Sequence, residues 1–263
     1  MHNIHILQFN PRLGDTEANI SSLEGLFDRI DKTDLIVLPE LSNSGYNFQS
    51  RTQAFSASEK INEGTFQEFL KDQAKRLHAN IVSGFCEREG DHLFNSSILV
   101  DQDGIRGLYR KIHLFMNEKD IFLPGNLEPE VYELDGFRTG MLICFDYLFP
   151  ELWRMLALKG ADLVCHPSNL VTPYGARVAP VQGIINRIFV ATANRTGTDH
   201  DITFNGGSYI SNPEGKILVQ AGTDAEEVIH AAVDLNLARN KMITDRNHVL
   251  NDRRTDLYSN PFN

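Results

Sequence analysis

Three residues with chemically useful side chains stand where apolar stretches of the sequence end. Glu40 ends the segment DLIVLPE, Lys111 ends GLYRK, and Cys144 ends MLIC. Ligand sites in α/β proteins gather beyond the carboxyl ends of the strands. A carboxylate, an ammonium and a thiol that met there would form a nucleophilic site. The carboxylate would take the thiol proton, and the ammonium would stabilise a developing oxyanion.

Each of these residues also has an ordinary structural explanation, which the sequence leaves open. A lone cysteine in an apolar strand is usually a packing residue, and a glutamate after a strand is usually solvated. The segment YRK is typical of the tip of a surface hairpin. Spacing alone does not bring the three residues together. The other two cysteines, Cys86 and Cys165, are expected to be buried packing residues.

The composition limits the classes of protein to consider. The chain has 263 residues, of which 41% are apolar and 23% charged, with a net charge of −10. These values are typical of a globular protein, and nucleic acid and anionic membrane surfaces are not expected as partners. No apolar run approaches the roughly 18 residues of a membrane span, and no signal peptide is visible. Three scattered cysteines predict a reducing cytoplasmic location.

Apolar patterning predicts alternating helices and strands in both halves of the chain. The expected helices are residues 18–30, 65–78 (with Thr65 as the cap), 150–160 and 178–189. The expected strands are residues 4–10, 34–40, 80–87, 93–100, 104–110, 131–134, 139–145, 161–169, 190–195, 206–211, 216–222 and 228–235.

This alternation, with hairpins mixed in, predicts an α/β sandwich. The segments DLIVLPELSN (34–43) and DLVCHPSN (162–169) are a faint internal echo that fits a pseudo-symmetric fold. Residues 111–126 are expected to form a loop, and the last 20 or so residues are polar. Because no linker separates the halves, residues 1–263 are predicted to form a single domain.

Three ordered segments resemble the signatures of the nitrilase superfamily, also called the carbon–nitrogen hydrolases. They are LPELSNSGY, YRKIHLF and CFDYLFPE. Further similar segments, among them HLFNSSILVDQDG, NEKDIFLPG, GADLVCHPSN and NRIFVATANRTG, extend the resemblance over nearly the whole chain. It implies an αββα sandwich, with two central mixed β-sheets flanked by helices. Such sandwiches pair into a four-layer homodimer or larger assembly, with the C-terminal tail (about 240–263) packing at the subunit interface.

Residue by residue, the resemblance implies a set of catalytic roles. Cys144 is the nucleophile, and Glu40 is the general base that activates the thiol and later the hydrolytic water. Lys111 stabilises the tetrahedral intermediate with the backbone N–H of Phe145. Glu118 positions the substrate or supports Lys111.

Other polar and aromatic residues are assigned less directly. By analogy Tyr46, Phe115 and Asn169 are substrate-binding candidates, which packing could equally explain. Asp146 is expected to orient the loop after the cysteine through backbone hydrogen bonds. His113 is expected to be a structural hydrogen-bonding partner, although a Cys–His protease pair with Cys144 is an alternative. No metal or cofactor is expected, because no ligand spacing typical of zinc is present.

The resemblance implies cysteine-dependent hydrolysis of a non-peptide carbon–nitrogen bond in a small molecule. A thioester acyl-enzyme would form, and ammonia and a carboxylic acid would be released. Strict nitrilases usually carry Trp-Glu after the cysteine, whereas this chain has Phe145 and Asp146. The difference favours an amide or a carbamoyl amide, with aliphatic nitriles as the alternative. A catalytically idle binding protein of the same fold is the alternative from another class.

Overall fold

Two six-stranded β-sheets occupy the centre of the protein. The structure is a computed structural model that describes residues 1–258. Two short two-stranded ribbons lie outside these sheets. The strands are β1 (His2–Gln8), β2 (Leu35–Val37), β3 (Asn80–Glu89), β4 (His92–Asp101), β5 (Gly104–Arg110), β6 (Val131–Leu134), β7 (Phe137–Met141), β8 (Leu163–Pro167), β9 (Phe189–Ala193), β10 (Thr198–Asp199), β11 (Ile202–Thr203), β12 (Tyr209–Ser211), β13 (Ile217–Gln220), β14 (Glu227–Val233), β15 (Met242–Thr244) and β16 (Asn247–His248).

Helices lie between the strands in both halves of the chain. The α-helices are α1 (Thr16–Phe27), α2 (Arg51–Ser56), α3 (Thr65–Leu77), α4 (Glu118–Ile121), α5 (Pro150–Leu158), α6 (Tyr174–Asn186) and α7 (Thr255–Tyr258). Two short 3-10 helices span Cys144–Leu148 and Leu235–Arg239.

The two sheets share one pattern of strand directions. The first sheet has the order β14-β1-β2-β3-β4-β5, and the second has the order β13-β12-β9-β8-β7-β6. In each sheet three neighbouring parallel strands, β1-β2-β3 or β7-β8-β9, are extended by antiparallel strands on both sides. The predicted mixed sheets and α/β sandwich are therefore confirmed. The two similar segments of the sequence, residues 34–43 and 162–169, contain β2 and β8, the middle parallel strands of the two sheets.

Alternate side chains of a strand point to opposite faces of its sheet. Both faces of the two sheets are covered, so both sets of side chains are buried. On β1 and β2, Ile4 and Val37 belong to a cluster that also holds Leu163 of the second sheet. The neighbouring residues Leu7 and Ile36 point the other way, into a cluster with α1 and α3. Helix α5 covers the second sheet through buried side chains of its own. The core thus positions the ends of the parallel strands of both sheets.

Local structure differs from the sequence predictions around the candidate site. The strand predicted over residues 139–145 ends at Met141, and Cys144 begins a 3-10 turn. The segment predicted as a loop contains the short helix α4, which begins at Glu118. Thr65 is not the cap of α3, because Gly64 occupies that position, and the Glu59 side chain accepts from the N–H of Phe66 in the first turn at 2.9 Å. Both Cys86 and Cys165 are buried, as predicted.

The described part of the C-terminal tail packs on its own subunit. Lys241 Nζ donates hydrogen bonds to the backbone oxygens of Asn186 and Arg187 at the end of α6. Arg154 of α5 donates to the backbone oxygen of Val249 at 3.3 Å. Residues 259–263 lie outside the described residues, and packing of the tail at a subunit interface stays a prediction. Within residues 1–258, no helix is long and apolar enough to cross a membrane.

A close approach between β3 and the turn after β2 gives a test of this packing. A Cβ atom on Gly84 would lie 2.3 Å from Glu40 Cα and 2.4 Å from the backbone oxygen of Pro39. We expect Gly84→Ala to lower the free energy of unfolding by about 3 kcal/mol, since the clashing atoms are backbone. Gly25→Ala is the matched control, because nothing lies within 4 Å of its Cβ position. In α1 that change should raise stability by about 0.5–1 kcal/mol. Urea unfolding measures both, and equal effects would contradict the close approach.

Candidate active site

Glu40 lies in a tight turn that follows β2. Leu41 adopts φ of 51°, and Ser42 Oγ donates a hydrogen bond to the backbone oxygen of Pro39 at 2.7 Å. The backbone N–H of Gly84 donates to the same oxygen at 3.0 Å. These contacts fix the backbone of the turn, and the Glu40 side chain is fully buried.

Lys111 follows β5 directly, and its backbone is held from two sides. Its N–H donates to the backbone oxygen of Asn95 at 2.8 Å, and its own carbonyl accepts from the N–H of Gly125 at 2.8 Å. A side chain at Gly125 would lie 2.0 Å from the backbone oxygen of Arg110, so only glycine fits this approach. The Lys111 side chain is completely buried.

The ammonium group of Lys111 bridges two carboxylates. Lys111 Nζ donates to Oε1 of Glu40 at 2.6 Å and to Oε1 of Glu118 at 2.7 Å. The Tyr46 hydroxyl donates to Glu118 Oε1 at 2.7 Å, and Asn95 Nδ2 donates to Glu40 Oε1 at 2.7 Å. The second oxygen of Glu40, Oε2, is buried and has no hydrogen-bond partner among residues 1–258. It is therefore the atom of this network that is able to accept a proton from a new partner.

Burial and the Lys111–carboxylate attraction shift the pKa values of this network in opposite directions. Burial lowers the pKa of Lys111, but the charges of Glu118 and Glu40 outweigh it and leave that pKa above its usual value. Burial raises the pKa of Glu118 to about 7, the Lys111 charge opposes this rise, and the Glu40 charge adds to it. Lys111 is therefore a fixed cation, and the pKa of Glu118 stays above its usual value despite the ion pair.

Cys144 occupies the first position of a strained turn. Its φ is 41°, in the left-handed region that residues with side chains rarely adopt. Asp146 holds this turn, because its Oδ2 accepts from the N–H of Ile143 at 3.0 Å and from the hydroxyl of Tyr109 at 2.8 Å. The indole N–H of Trp153 donates to the Asp146 backbone oxygen at 3.1 Å. The predicted orienting hydrogen bonds of Asp146 are therefore present.

A buried histidine, His166, is hydrogen-bonded to the backbone of Cys144. His166 Nε2 lies 2.8 Å from the backbone oxygen of Cys144, and Nδ1 lies 3.1 Å from Thr192 Oγ1. Because a carbonyl oxygen only accepts, Nε2 carries the proton and donates it. Burial lowers the pKa of His166 to about 4, although the hydrogen bond to Cys144 acts in the other direction. His166 is thus a neutral donor, and the sequence alone did not indicate this role.

The thiol of Cys144 is protonated in the resting site. Burial raises its pKa well above the usual value, and the negative charge of Glu40 raises it further. The Lys111 charge and the backbone N–H of Asn169 act in the opposite direction and do not reverse the shift. The thiol must therefore lose its proton to a base when it reacts.

A cleft of about 230 Å³ opens beside Cys144. Phe115 and Asn169, two of the substrate-binding candidates, line it together with Phe145, and their role in binding stays a prediction. Asn169 Nδ2 donates to the backbone oxygen of Glu40 at 3.0 Å, and its Oδ1 has no partner among residues 1–258. Tyr46 does not line this cleft, because its hydroxyl is bonded to Glu118 and the residue lines a neighbouring cavity.

The structure adds an ion pair to which the sequence assigned no role. Arg195 is buried and donates to both carboxylate oxygens of Asp199, at 2.6 and 3.0 Å. Asp199 Oδ2 in turn accepts from the backbone N–H of Tyr46 at 3.0 Å. The guanidinium also lies 4.1 Å from the ring centroid of Phe204, which packs edge-on against Tyr46. The Arg195–Asp199 pair therefore positions the segment that holds Tyr46 against Glu118. The only indication of this pair in the sequence was that the segment ending in NRTG resembles the nitrilase superfamily.

The histidines do not support a Cys–His pair. His113 Nδ1 lies 2.9 Å from Asp146 Oδ1, and its ring stacks on Phe149 at 3.4 Å, so it is the structural partner that was predicted. His166 contacts the carbonyl of Cys144 and not its sulfur. The described residues also contain no group of three or more His, Cys, Asp or Glu residues that could hold a metal ion.

Comparison with known proteins gives consistent results. The carbon–nitrogen hydrolase family profile matches residues 4–241. A nitrilase of Pyrococcus abyssi is 42% identical over 98% of this chain and 99% of its own length, and an (R)-stereoselective amidase of a Pseudomonas species is 36% identical over 95% and 91%. The crystal structure of an amidase from a Nesterenkonia species superposes with a TM-score of 0.82 at 25% identity, covering 98% of this chain and 95% of that one.

The neutral state of His166 predicts a pH dependence of stability. Unfolded histidine takes up a proton near pH 6.5, whereas folded His166 does so only near pH 4, so stability is lost as the pH falls between these values. In the wild type this residue should contribute a loss of about 2 kcal/mol in unfolding free energy between pH 7 and pH 5.

We expect His166→Gln, whose amide is able to donate to Cys144, to lose about 2 kcal/mol less over the same range. Urea unfolding at both pH values measures the difference. His5, whose pKa is lowered to about 4 by burial and by His230, contributes equally in both proteins. An unchanged pH dependence in the variant would contradict the assignment.

Proposed function

The chain belongs to the carbon–nitrogen hydrolase family, and from this premise we propose that it hydrolyses small amides through a thioester on Cys144. One observation carries the proposal. Lys111 bridges Glu40 and Glu118 through one oxygen of each, and the free Oε2 of Glu40 is left without a partner. A cation is thus held in place, and a carboxylate oxygen is available as a base.

The first half of the proposed reaction forms the acyl-enzyme. Glu40 accepts the proton of the Cys144 thiol, and the thiolate attacks the carbonyl carbon of the amide. The oxygen becomes an oxyanion, which the Lys111 ammonium and the backbone N–H of Phe145 stabilise. The carbon–nitrogen bond then breaks, and the nitrogen takes the proton from Glu40 and leaves as ammonia.

The second half releases the acid. Glu40 takes a proton from a water molecule, whose oxygen attacks the thioester carbon and forms a second oxyanion beside Lys111. The carbon–sulfur bond breaks, the sulfur takes the proton back, and the carboxylic acid departs. Glu118 keeps Lys111 in place through the bond of 2.7 Å and contributes a second carboxyl group near the substrate. Tyr46 supports Glu118 from behind.

Asn169 supports an amide as the substrate. It lines the cleft beside Cys144, and its Oδ1 is a buried acceptor without a partner. Its side-chain orientation is fixed, because Nδ2 must face the backbone oxygen of Glu40. An amide N–H supplies the donor that this oxygen lacks, whereas a nitrile has none. The similarity to the Pseudomonas and Nesterenkonia amidases agrees with this choice.

A nitrile is the second candidate substrate. The 42% identity to the nitrilase of Pyrococcus abyssi favours it. The same thiolate would add to the nitrile carbon and give a thioimidate. Water would then convert this intermediate to the thioester with release of ammonia. Both reactions use Glu40, Lys111 and Cys144, and they differ in the substrate that enters and in the steps that lead to the thioester.

Ammonia release tests the proposed function. We expect the wild type to release ammonia from small aliphatic amides, and Cys144→Ala to lose this activity by a factor of 10⁴ or more, on the order of the loss when other catalytic nucleophiles are removed. Faster release from aliphatic nitriles would favour the second candidate. A folded protein that releases no ammonia from amides, carbamoyl amides or nitriles would contradict both, and would leave a binding role.

The helices that cover the second sheet expose large apolar side chains, which supports a homodimer. Side chains on and beside α5 and α6 are large, apolar and exposed: Leu148, Leu158, Tyr174, Val181, Ile184 and Ile185. The exposed positions of α1 and α3 are mostly charged or polar, among them Glu17, Glu24, Asp72 and Lys75. Exposed apolar side chains on two neighbouring helices are typical of an interface between subunits. We propose that two copies pair through α5 and α6.

Light scattering during gel filtration tests the homodimer. We expect a mass twice that of the chain at micromolar concentration, because the apolar face is removed from water. Val181→Glu places a charge in the face and should shift the protein toward the monomer. Ser21→Glu on the exposed side of α1 is the matched control and should leave the mass unchanged. A wild-type monomer would contradict the proposal.

A further inference from the structure

The cleft beside Cys144 is small and contains no charge of its own. Besides Cys144 and Asn169, its lining consists of uncharged side chains: Phe115, Phe145, Tyr147, Leu170, Val171 and Thr172. Its volume of about 230 Å³ includes the open solvent at its mouth, so the space left for an acyl group is small. An acyl group that enters this cleft therefore exchanges water for aromatic and aliphatic surface.

The neighbouring cavity on the far side of Glu118 has no cation either. Its volume is about 290 Å³ with the open solvent at its mouth included, and Tyr46, Asn47, Phe48 and Met116 are among the residues that line it. Among the described residues that line it, Glu118 carries the only charged side chain. A negatively charged substrate group would thus meet a carboxylate there.

The two buried cations close to the site already have partners. Lys111 is bonded to Glu40 and Glu118. Arg195 is bonded to both oxygens of Asp199 and does not line the cleft. A substrate carboxylate would have to take a cation from one of these pairs and leave the displaced carboxylate buried and unpaired, which is strongly unfavourable.

We propose that the enzyme is specific for amides whose acyl group is short and uncharged, and that it discriminates against a carboxylate at the far end of the acyl chain. This inference rests on the proposed function, since it concerns the substrate of the same site. The reason is desolvation, because an anionic group would lose its water in a cleft that offers no opposite charge. The two carboxylates beside Lys111 and the net charge of −10 act in the same direction.

A pair of substrates with similar shape and different charge tests the inference. Butyramide and succinamate differ by a terminal methyl group against a carboxylate, and valeramide and glutaramate form a second pair. We expect kcat/KM to be about 100-fold or more higher for the neutral member of each pair, as an unpaired buried charge is strongly rejected. Equal or faster hydrolysis of succinamate would overturn the inference and leave the proposed amidase function intact.

Val171 lines the cleft, so a substitution at this position is able to place the missing positive charge beside the substrate. Val171→Lys introduces a cation, and Val171→Met is the control with a long uncharged side chain. We expect Val171→Lys to narrow the preference for butyramide over succinamate by about 10-fold or more, since a nearby opposite charge favours the anion. Val171→Met should keep the wild-type ratio. An identical ratio in both variants would contradict the argument from charge.

A third cavity requires a separate control, because it does contain a cation. Its lining includes Lys119 and His113, and it shares Phe145 with the cleft. If succinamate is a good substrate of the wild type and Lys119→Ala abolishes that activity, this cavity recognises anions and the inference is wrong. We expect Lys119→Ala to leave the preference for butyramide unchanged.

Thiol labelling tests the same selectivity without turnover. Iodoacetamide and iodoacetate both alkylate sulfur with loss of iodide, and they differ in charge. The rate ratio at Cys144, followed by intact mass with Cys144→Ser as the control, should favour iodoacetamide about 10-fold or more beyond the ratio for 2-mercaptoethanol. A ratio equal to that of 2-mercaptoethanol would overturn the inference, even if no amide were hydrolysed.

Discussion

The ammonium of Lys111, enclosed between the carboxylates of Glu40 and Glu118, is the interaction on which the rest of the structure depends. Two buried carboxylates would repel each other strongly without this cation, and the cation would be costly without them. The three residues come from the turn after β2, the end of β5 and the start of α4. The ion pair therefore requires these elements to meet, and the tight backbone contacts at Gly84 and Gly125 show how closely they do so.

The matching sheets explain why the site lies where it does. The strands β2 and β8 occupy equivalent central positions, and the segments that follow them hold Glu40 and Asn169. Asn169 Nδ2 donates to the backbone oxygen of Glu40, so the two equivalent segments are bonded directly to each other. The site thus forms across the two sheets, with Glu40 on one half of the molecule and Cys144 on the other. Stacking of the sheets is therefore a condition for assembling the site.

Much of this arrangement could be predicted from the sequence, because apolar periodicity specifies strands and ordered motifs specify the family. The α/β sandwich was predicted in this way, and so were Glu40, Lys111 and Cys144, which the structure brings to one site. The end of β7 could not be, since Leu142 and Ile143 are as apolar as the strand before them, and hydrogen bonds from Asp146 form the turn. The roles of His166 and Arg195 were also missed. His166 contacts a backbone atom 22 residues away, and the Arg195–Asp199 pair reaches Tyr46 only through the tertiary fold.

The protonated resting state of Cys144 has a consequence for survival under oxidative conditions. Peroxides attack thiolates, and a buried neutral thiol reacts slowly with them. Enzymes that keep an exposed thiolate are open to irreversible conversion to sulfinic acid between turnovers. Here the thiol is buried and its pKa is raised, so in the proposed reaction the thiolate exists only while Glu40 holds the proton. The same burial that slows the nucleophile at rest thereby preserves it during long intervals without substrate.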